Sequence, residues 1–108
     1  MIQDSRKMIP QIENHYKKNP NRSISAEYRK YRKHPDYSMI GDFIILANIV
    51  NTIKSLGIKL SRSRVLYAIN QSIELREFSV VEKTKLLDGL LKTSSVQTIK
   101  GKNDRRGF

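Results

Sequence analysis

The chain has no cysteine, only five glycines and three prolines, and ten acidic residues against twenty-one lysines and arginines. Without cysteine, no disulfide, thiolate nucleophile or thiolate metal site is available. So little glycine and proline, with long stretches free of both, argues against a sheet-rich fold with many turns. Long apolar runs are missing as well. Phe43 to Val50 spans eight residues and includes Asn48, against the roughly 20 a helix needs to cross a bilayer. The first residues, Met1 to Lys7, have no apolar stretch behind them, so no signal peptide is expected and a cytoplasmic location is. Phosphate-cradling glycine loops are absent too, because Gly41, Gly57, Gly89, Gly101 and Gly107 stand apart from one another.

What is present is positive charge, unevenly placed. Residues 1–35 carry +6, residues 36–94 only +2, and residues 95–108 carry +3. The apolar residues do the reverse, concentrating between Met39 and Leu91. The organisation expected is a basic N-terminal arm (1–35), a helical core (36–94) and a basic flexible tail (95–108). Two basic flanks repel each other unless an anionic partner relieves them, which points to nucleic acid or a membrane surface.

Apolar spacing is helical throughout. One helix is expected from about Ser38 to Leu56, capped by Ser38 and ended by Gly57. Met39, Phe43, Leu46, Val50 and Ile53 form its seam, and Ile40, Ile44, Ile45, Ala47 and Ile49 widen it. An arc that wide suits the central helix of a bundle or half of a homodimer interface. A second helix is expected over 62–77, capped by Ser61, burying Val65, Leu66, Ile69 and Ile73. A third runs from Ser79 to Thr93, where Ser79 and Glu82 read as a capping box ahead of Leu86, Leu87, Leu90 and Leu91. Shorter helices are expected over 10–18 and 25–33, stopped by Asn19-Pro20 and by His34-Pro35. The fold class is all-α, a small helical bundle.

Catalytic chemistry is not expected. His15 and His34 are nineteen positions apart and neither has a nearby carboxylate cluster, so no metal site or cofactor is implied. Glu74, Glu77 and Glu82 pair naturally with Arg76, Lys83 and Lys85 as solvated helix charges.

The strongest local signal is Glu27-Tyr28-Arg29-Lys30-Tyr31-Arg32-Lys33-His34, where cations can neutralise phosphates and tyrosines can stack on bases. The alternative is that Tyr28 and Tyr31 pack inward and the cations stay solvated. A nucleic-acid contact set follows: Lys17, Lys18, Arg29, Lys30, Arg32 and Lys33 on phosphates, with Lys59, Arg105 and Arg106 adding to the grip. Base readout would fall to Arg62, Arg64, Asn70 and Gln71. Of these partners DNA is expected ahead of RNA, in an accessory or regulatory role.

Three resemblances bear on this set. Ile49–Leu56, a turn and 62–77 look like a helix-turn-helix, although Ile53 sits where a small residue is usual. Ile58–Ser61 as a strand ahead of two helices resembles the ribbon-helix-helix repressors. Finally, His34-Pro35-Asp36-Tyr37-Ser38, the long apolar helix behind it and Phe78-Ser79 opening a leucine-rich helix resemble the class IIa bacteriocin immunity proteins, over about residues 34–94. That family consists of small basic four-helix bundles that protect a producer cell from its own pore-forming peptide. The resemblance implies a membrane-protein complex as partner. The 65–78 stretch is shorter than the family's third helix and the N-terminal arm is longer. A further alternative is an adaptor docking on an acidic protein.

Overall fold

In the computed structural model, which describes residues 5–97 (side chains of 6–92), the chain is all-helical with five α-helices. A 3-10 turn, Ser5–Met8, leads into α1, Ile9–Lys18, with Pro10 in its first turn, where a missing amide hydrogen is harmless. Met8 of the turn and Ile12 and Tyr16 of α1, four residues apart, form one buried stripe. Helix α2 spans Ile24–Lys33 and is capped by Ser23, whose hydroxyl accepts from the Ala26 N–H. It buries Ile24, Tyr28 and Tyr31. His34, extended ahead of Pro35, ends it, and a 3-10 turn over Pro35–Tyr37 follows. Met8, Ile12, Tyr16, Ile24, Tyr28 and Tyr31 thus supply about a third of the buried apolar side chains among the described residues.

Helix α3, Asp42–Ser55, begins four residues later than the sequence suggests, with Gly41 rather than Ser38 at its cap. The Ser38 hydroxyl donates back to the Pro35 carbonyl, and the Ile40 N–H closes a turn onto Tyr37. Helix α3 packs on α1, α2 and α5, as a central helix should. Its buried seam is Ile45, Leu46, Ile49, Val50 and Ile53, while Met39, Phe43 and Ile44 stay exposed. The expected seam therefore rotates: its first two members fall on the outer side.

Gly57 ends α3 as the sequence suggests. Its φ of 75° lies in the left-handed region, its N–H donates to Lys54, and the Ile58 N–H reaches back to Ile53, a Schellman closure. Nothing lies within 4 Å of a Cβ built there, so backbone strain is the whole penalty of a side chain. Gly57→Ala should cost about 1–2 kcal/mol, read as a lower chemical-denaturation midpoint. An unchanged midpoint would mean the turn relaxes freely.

Helix α4 spans Arg62–Gln71, capped by the Ser61 hydroxyl on the Arg64 N–H, and packs chiefly on α2 and α5. It buries Val65, Ala68 and Ile69, while Leu66 and Ile73 lie outside, against expectation. It also stops six residues short of the expected Glu77. Ser72 turns extended and its hydroxyl donates to the Ile69 carbonyl. The next two amides are taken from outside the helix: Ile73 N–H donates to the Tyr28 hydroxyl and Glu74 N–H to Asp42. A 3-10 turn, Leu75–Glu77, then leads to α5, Val80–Gln97. The capping box is present, with Ser79 and Glu82 exchanging side-chain-to-amide bonds of 2.9 and 3.2 Å. Leu87 and Leu90 are buried, and Leu86 and Leu91 pack against the core.

Residues 58–61 form no strand, so the paired-strand element of a ribbon-helix-helix protein is not present. A six-residue link separates α3 from α4, and α4 packs mainly elsewhere, unlike the compact pair of a helix-turn-helix. No helix among the described residues is long and apolar enough to cross a membrane.

Candidate docking surface

The structure divides the expected nucleic-acid contact set in two. Arg32 is drawn inward, its guanidinium 2.9 Å from the carboxylate of Asp42, which has no exposure, and it also donates to the Ser38 carbonyl. Arg64 donates to the Arg22 carbonyl at 2.8 Å, tying α4 to the α1–α2 link. Arg62 bridges to Asp88 of α5 at 2.8 Å and holds that carboxyl below the usual carboxylate range. Lys30 donates to Nε2 of His15 at 2.9 Å. These four cations brace one segment of the bundle against another.

Lys17, Lys18, Arg29, Lys33 and Lys59 are exposed, as are Asn70 and Gln71 on the outer side of α4. Lys17 and Lys18 lie in the last turn of α1, where cations suit the negative end of the helix. Arg105 and Arg106 lie outside the described residues.

Tyr28 and Tyr31 are 1% and 0% exposed and offer no ring to stack on a base. Tyr31 meets Tyr37 edge-on at 5.6 Å, and burial holds its phenol above the ordinary range. Tyr16 and Tyr28 are raised for the same leading reason, burial.

Two buried carboxylates, not singled out by the sequence reading, organise this interior. Glu27 accepts from Arg22 on one oxygen and lies 2.8 Å from His15 Nδ1 on the other. The Lys30 ammonium lies 2.9 Å from Nε2 and 3.4 Å from Nδ1 of the same ring. Asp42 accepts from the Glu74 N–H at 2.7 Å, while its own N–H donates to the Glu74 carboxylate at 3.1 Å. Both acids do carry a sequence signal, because each shares the apolar stripe of its helix. Glu27 sits with Ile24, Tyr28 and Tyr31, and Asp42 with Ile45, Leu46 and Ile49. A charge on a core stripe needs a partner, and here Arg22 and Arg32 supply it.

Two of these exposed cations, Arg29 and Lys33, meet at one recess. Between α2 and the end of α4, a cleft of about 160 Å³ is lined by Tyr28, Arg29, Arg32, Lys33, Gln71 and Ile73. A shallow groove of about 310 Å³ runs between α4 and α5 past Leu66, Val80 and Lys83. A third recess, about 340 Å³, lies where the α2 and α4 starts approach, beside Arg64 and Tyr67. Apolar side chains stand out around these openings: Met39 is 81% exposed, Val80 79% and Ile73 56%, with Phe43, Ile44 and Val81 also uncovered. The face expected to carry a homodimer is thus left open at Met39, Phe43 and Ile44, its remainder being turned into the core. Among the described residues no three His, Asp or Glu side chains converge as metal ligands. Comparison with known proteins gives no matching family model, no matching curated protein and no matching solved structure.

Proposed function

We propose that this chain is a non-enzymatic docking bundle of the bacteriocin-immunity type, protecting a cell by binding a membrane-protein complex from the cytoplasmic side. The observation that carries this reading is the division of the surface. Arg32, Arg62, Arg64 and Lys30 engage partners within the bundle, while Met39, Ile44, Val80 and Val81 stand exposed and Val80 shares a groove with Lys83. Uncovered aliphatic groups gain little from a phosphate backbone, whereas burying them against a protein is favourable. The resemblance over residues 34–94 adds support, since the turn at Pro35–Tyr37, the apolar α3 and the Ser79-capped α5 occur in that order. One departure stands: α4 ends at Gln71, which sharpens the difference from the family's third helix. Expressed in cells sensitive to pore-forming peptides, the chain should raise survival against at least one of them. Unchanged survival across a panel of such peptides would sink the reading.

A second reading, a DNA-binding accessory protein, is favoured by the convergence of Arg29, Lys33 and Gln71 on one opening. If Arg29 and Lys33 contact phosphates, Arg29→Glu/Lys33→Glu should weaken binding to random duplex DNA. It should also reduce the log–log salt slope by about 2, at roughly 0.9 per contact. An unaltered slope removes these two residues from any such interface.

A further inference from the structure

We propose that the cleft between α2 and α4 seats an aliphatic side chain of a protein partner, with a neighbouring carboxylate of that partner held by Arg29 and Lys33. The proposal rests on the docking reading above and names the surface and the chemistry it would recognise.

The cleft has a charged side and an apolar side. Arg29 and Lys33 stand one turn apart on α2, both exposed, and neither forms an ion pair among the described residues. Arg32 between them is already answered by Asp42, so it shapes the wall without adding free charge. No acidic side chain lines the opening. The apolar part is Ile73, more than half exposed but not loose, because its N–H is fixed on the Tyr28 hydroxyl at 3.2 Å. An isoleucine anchored through its backbone at the mouth of a cleft, with an arginine beside it, has the make-up of an interface anchor point.

Size and chemistry narrow the occupant. At about 160 Å³ the cleft is below the roughly 300–1,000 Å³ of ordinary small-molecule sites, and it suits one side chain. Its only ring is Tyr28, buried and with its hydroxyl engaged, so an unstacked base finds no platform. The chain's own C-terminal segment has Lys100, Lys102, Arg105 and Arg106 against Asp104, the wrong charge to fill it. The complement of two free cations beside an exposed aliphatic side chain is an acidic segment with an aliphatic tip, carried by another protein.

The test is a heteronuclear NMR titration of the full ¹⁵N-labelled chain with the peptide acetyl-Asp-Leu-Glu-Leu-Asp-amide. Controls are acetyl-Lys-Leu-Lys-Leu-Lys-amide, inorganic phosphate and a short DNA duplex. The acidic peptide should give saturable shifts at the amides of Arg29, Lys33, Gln71 and Ile73. These shifts should disappear in Arg29→Glu/Lys33→Glu and weaken severalfold in Ile73→Ser, all surface changes whose fold the same spectra verify. The proposal is overturned by shifts elsewhere only, by equal shifts with the basic peptide or with phosphate, by an unaltered Ile73→Ser response, or by DNA displacing the peptide from these amides. Failure of the titration with cell protection intact removes the cleft and keeps the docking reading. Seating of the peptide without protection does the opposite.

Discussion

Arg22→Ala should destabilise the protein by about 3–5 kcal/mol, the usual result of leaving a buried charge without its partner. The Glu27 carboxylate has no exposure, while Arg22 and His15 are each about a third exposed. The asymmetry sets the order of the two single variants. Without Arg22, Glu27 is left in the interior with the His15 ring 2.8 Å away, which answers its charge only when protonated. Without Glu27, Arg22 and His15 are able to turn toward water, and the loss should be about 2 kcal/mol, mostly packing and one set of hydrogen bonds. The double variant should therefore be more stable than Arg22→Ala alone, because it removes the stranded charge. In a chain this size, 3 kcal/mol corresponds to a fall in Tm of roughly 10 °C or more. Calorimetry on the three variants checks the order. A double variant less stable than Arg22→Ala would contradict the account of this network.

The second large effect belongs to Asp42. Its carboxylate joins Arg32 of α2 to the Glu74 amide in the α4–α5 link, and its own amide is bonded in return by Glu74. Three segments meet at one side chain. Asp42→Ala should cost about 3–5 kcal/mol, since it frees a partly buried guanidinium and an amide together. Asp42→Asn keeps an acceptor for the Glu74 amide but loses the ion pair, so about half that loss is expected. The local consequence is more specific than the global one. Hydrogen exchange at the amides of Ile73 and Glu74 should accelerate in Asp42→Ala before the rest of α4 does, because those amides are held from outside the helix. Uniform acceleration, or an unaltered melting temperature, would show that the link is held by something else.

These two carboxylates also explain what was legible in the sequence. Helix positions followed from capping residues and apolar spacing: Ser61, the Ser79–Glu82 pair and Gly57 all act where their chemistry suggests. The end of α4 was not legible, because nothing local stops a helix at Ser72. It stops because Tyr28 and Asp42, distant in sequence, capture the amides of Ile73 and Glu74. Local pattern registers propensity but not a competing partner thirty or more positions away.

The basic stretch 27–34 was ambiguous for a related reason. Composition identifies cations, yet whether Arg32 faces water or Asp42 depends on where α3 begins, and α3 begins at Asp42 rather than Ser38. Tyr28 and Tyr31 sit three apart, a spacing equally fit for an exposed stacking edge and for a core stripe. The core stripe is what forms, with Ile24 and Glu27 completing it. Of the site residues expected from sequence, Arg29, Lys33 and Gln71 do converge, and Ile73, assigned to the core on its periodicity, joins them from outside.

On the proposed docking reading, the exposed surface serves a protein partner at a membrane complex. The most direct measurement is a dose–response curve for killing by pore-forming peptides, in sensitive cells carrying the wild-type chain, an empty vector or the Arg29→Glu/Lys33→Glu variant. The account predicts that the wild type shifts the curve to higher peptide concentration for at least one peptide. The well-folded variant should move back toward the vector control. Wild-type and vector curves that coincide for every peptide, in cells where the chain accumulates as folded protein, would contradict it.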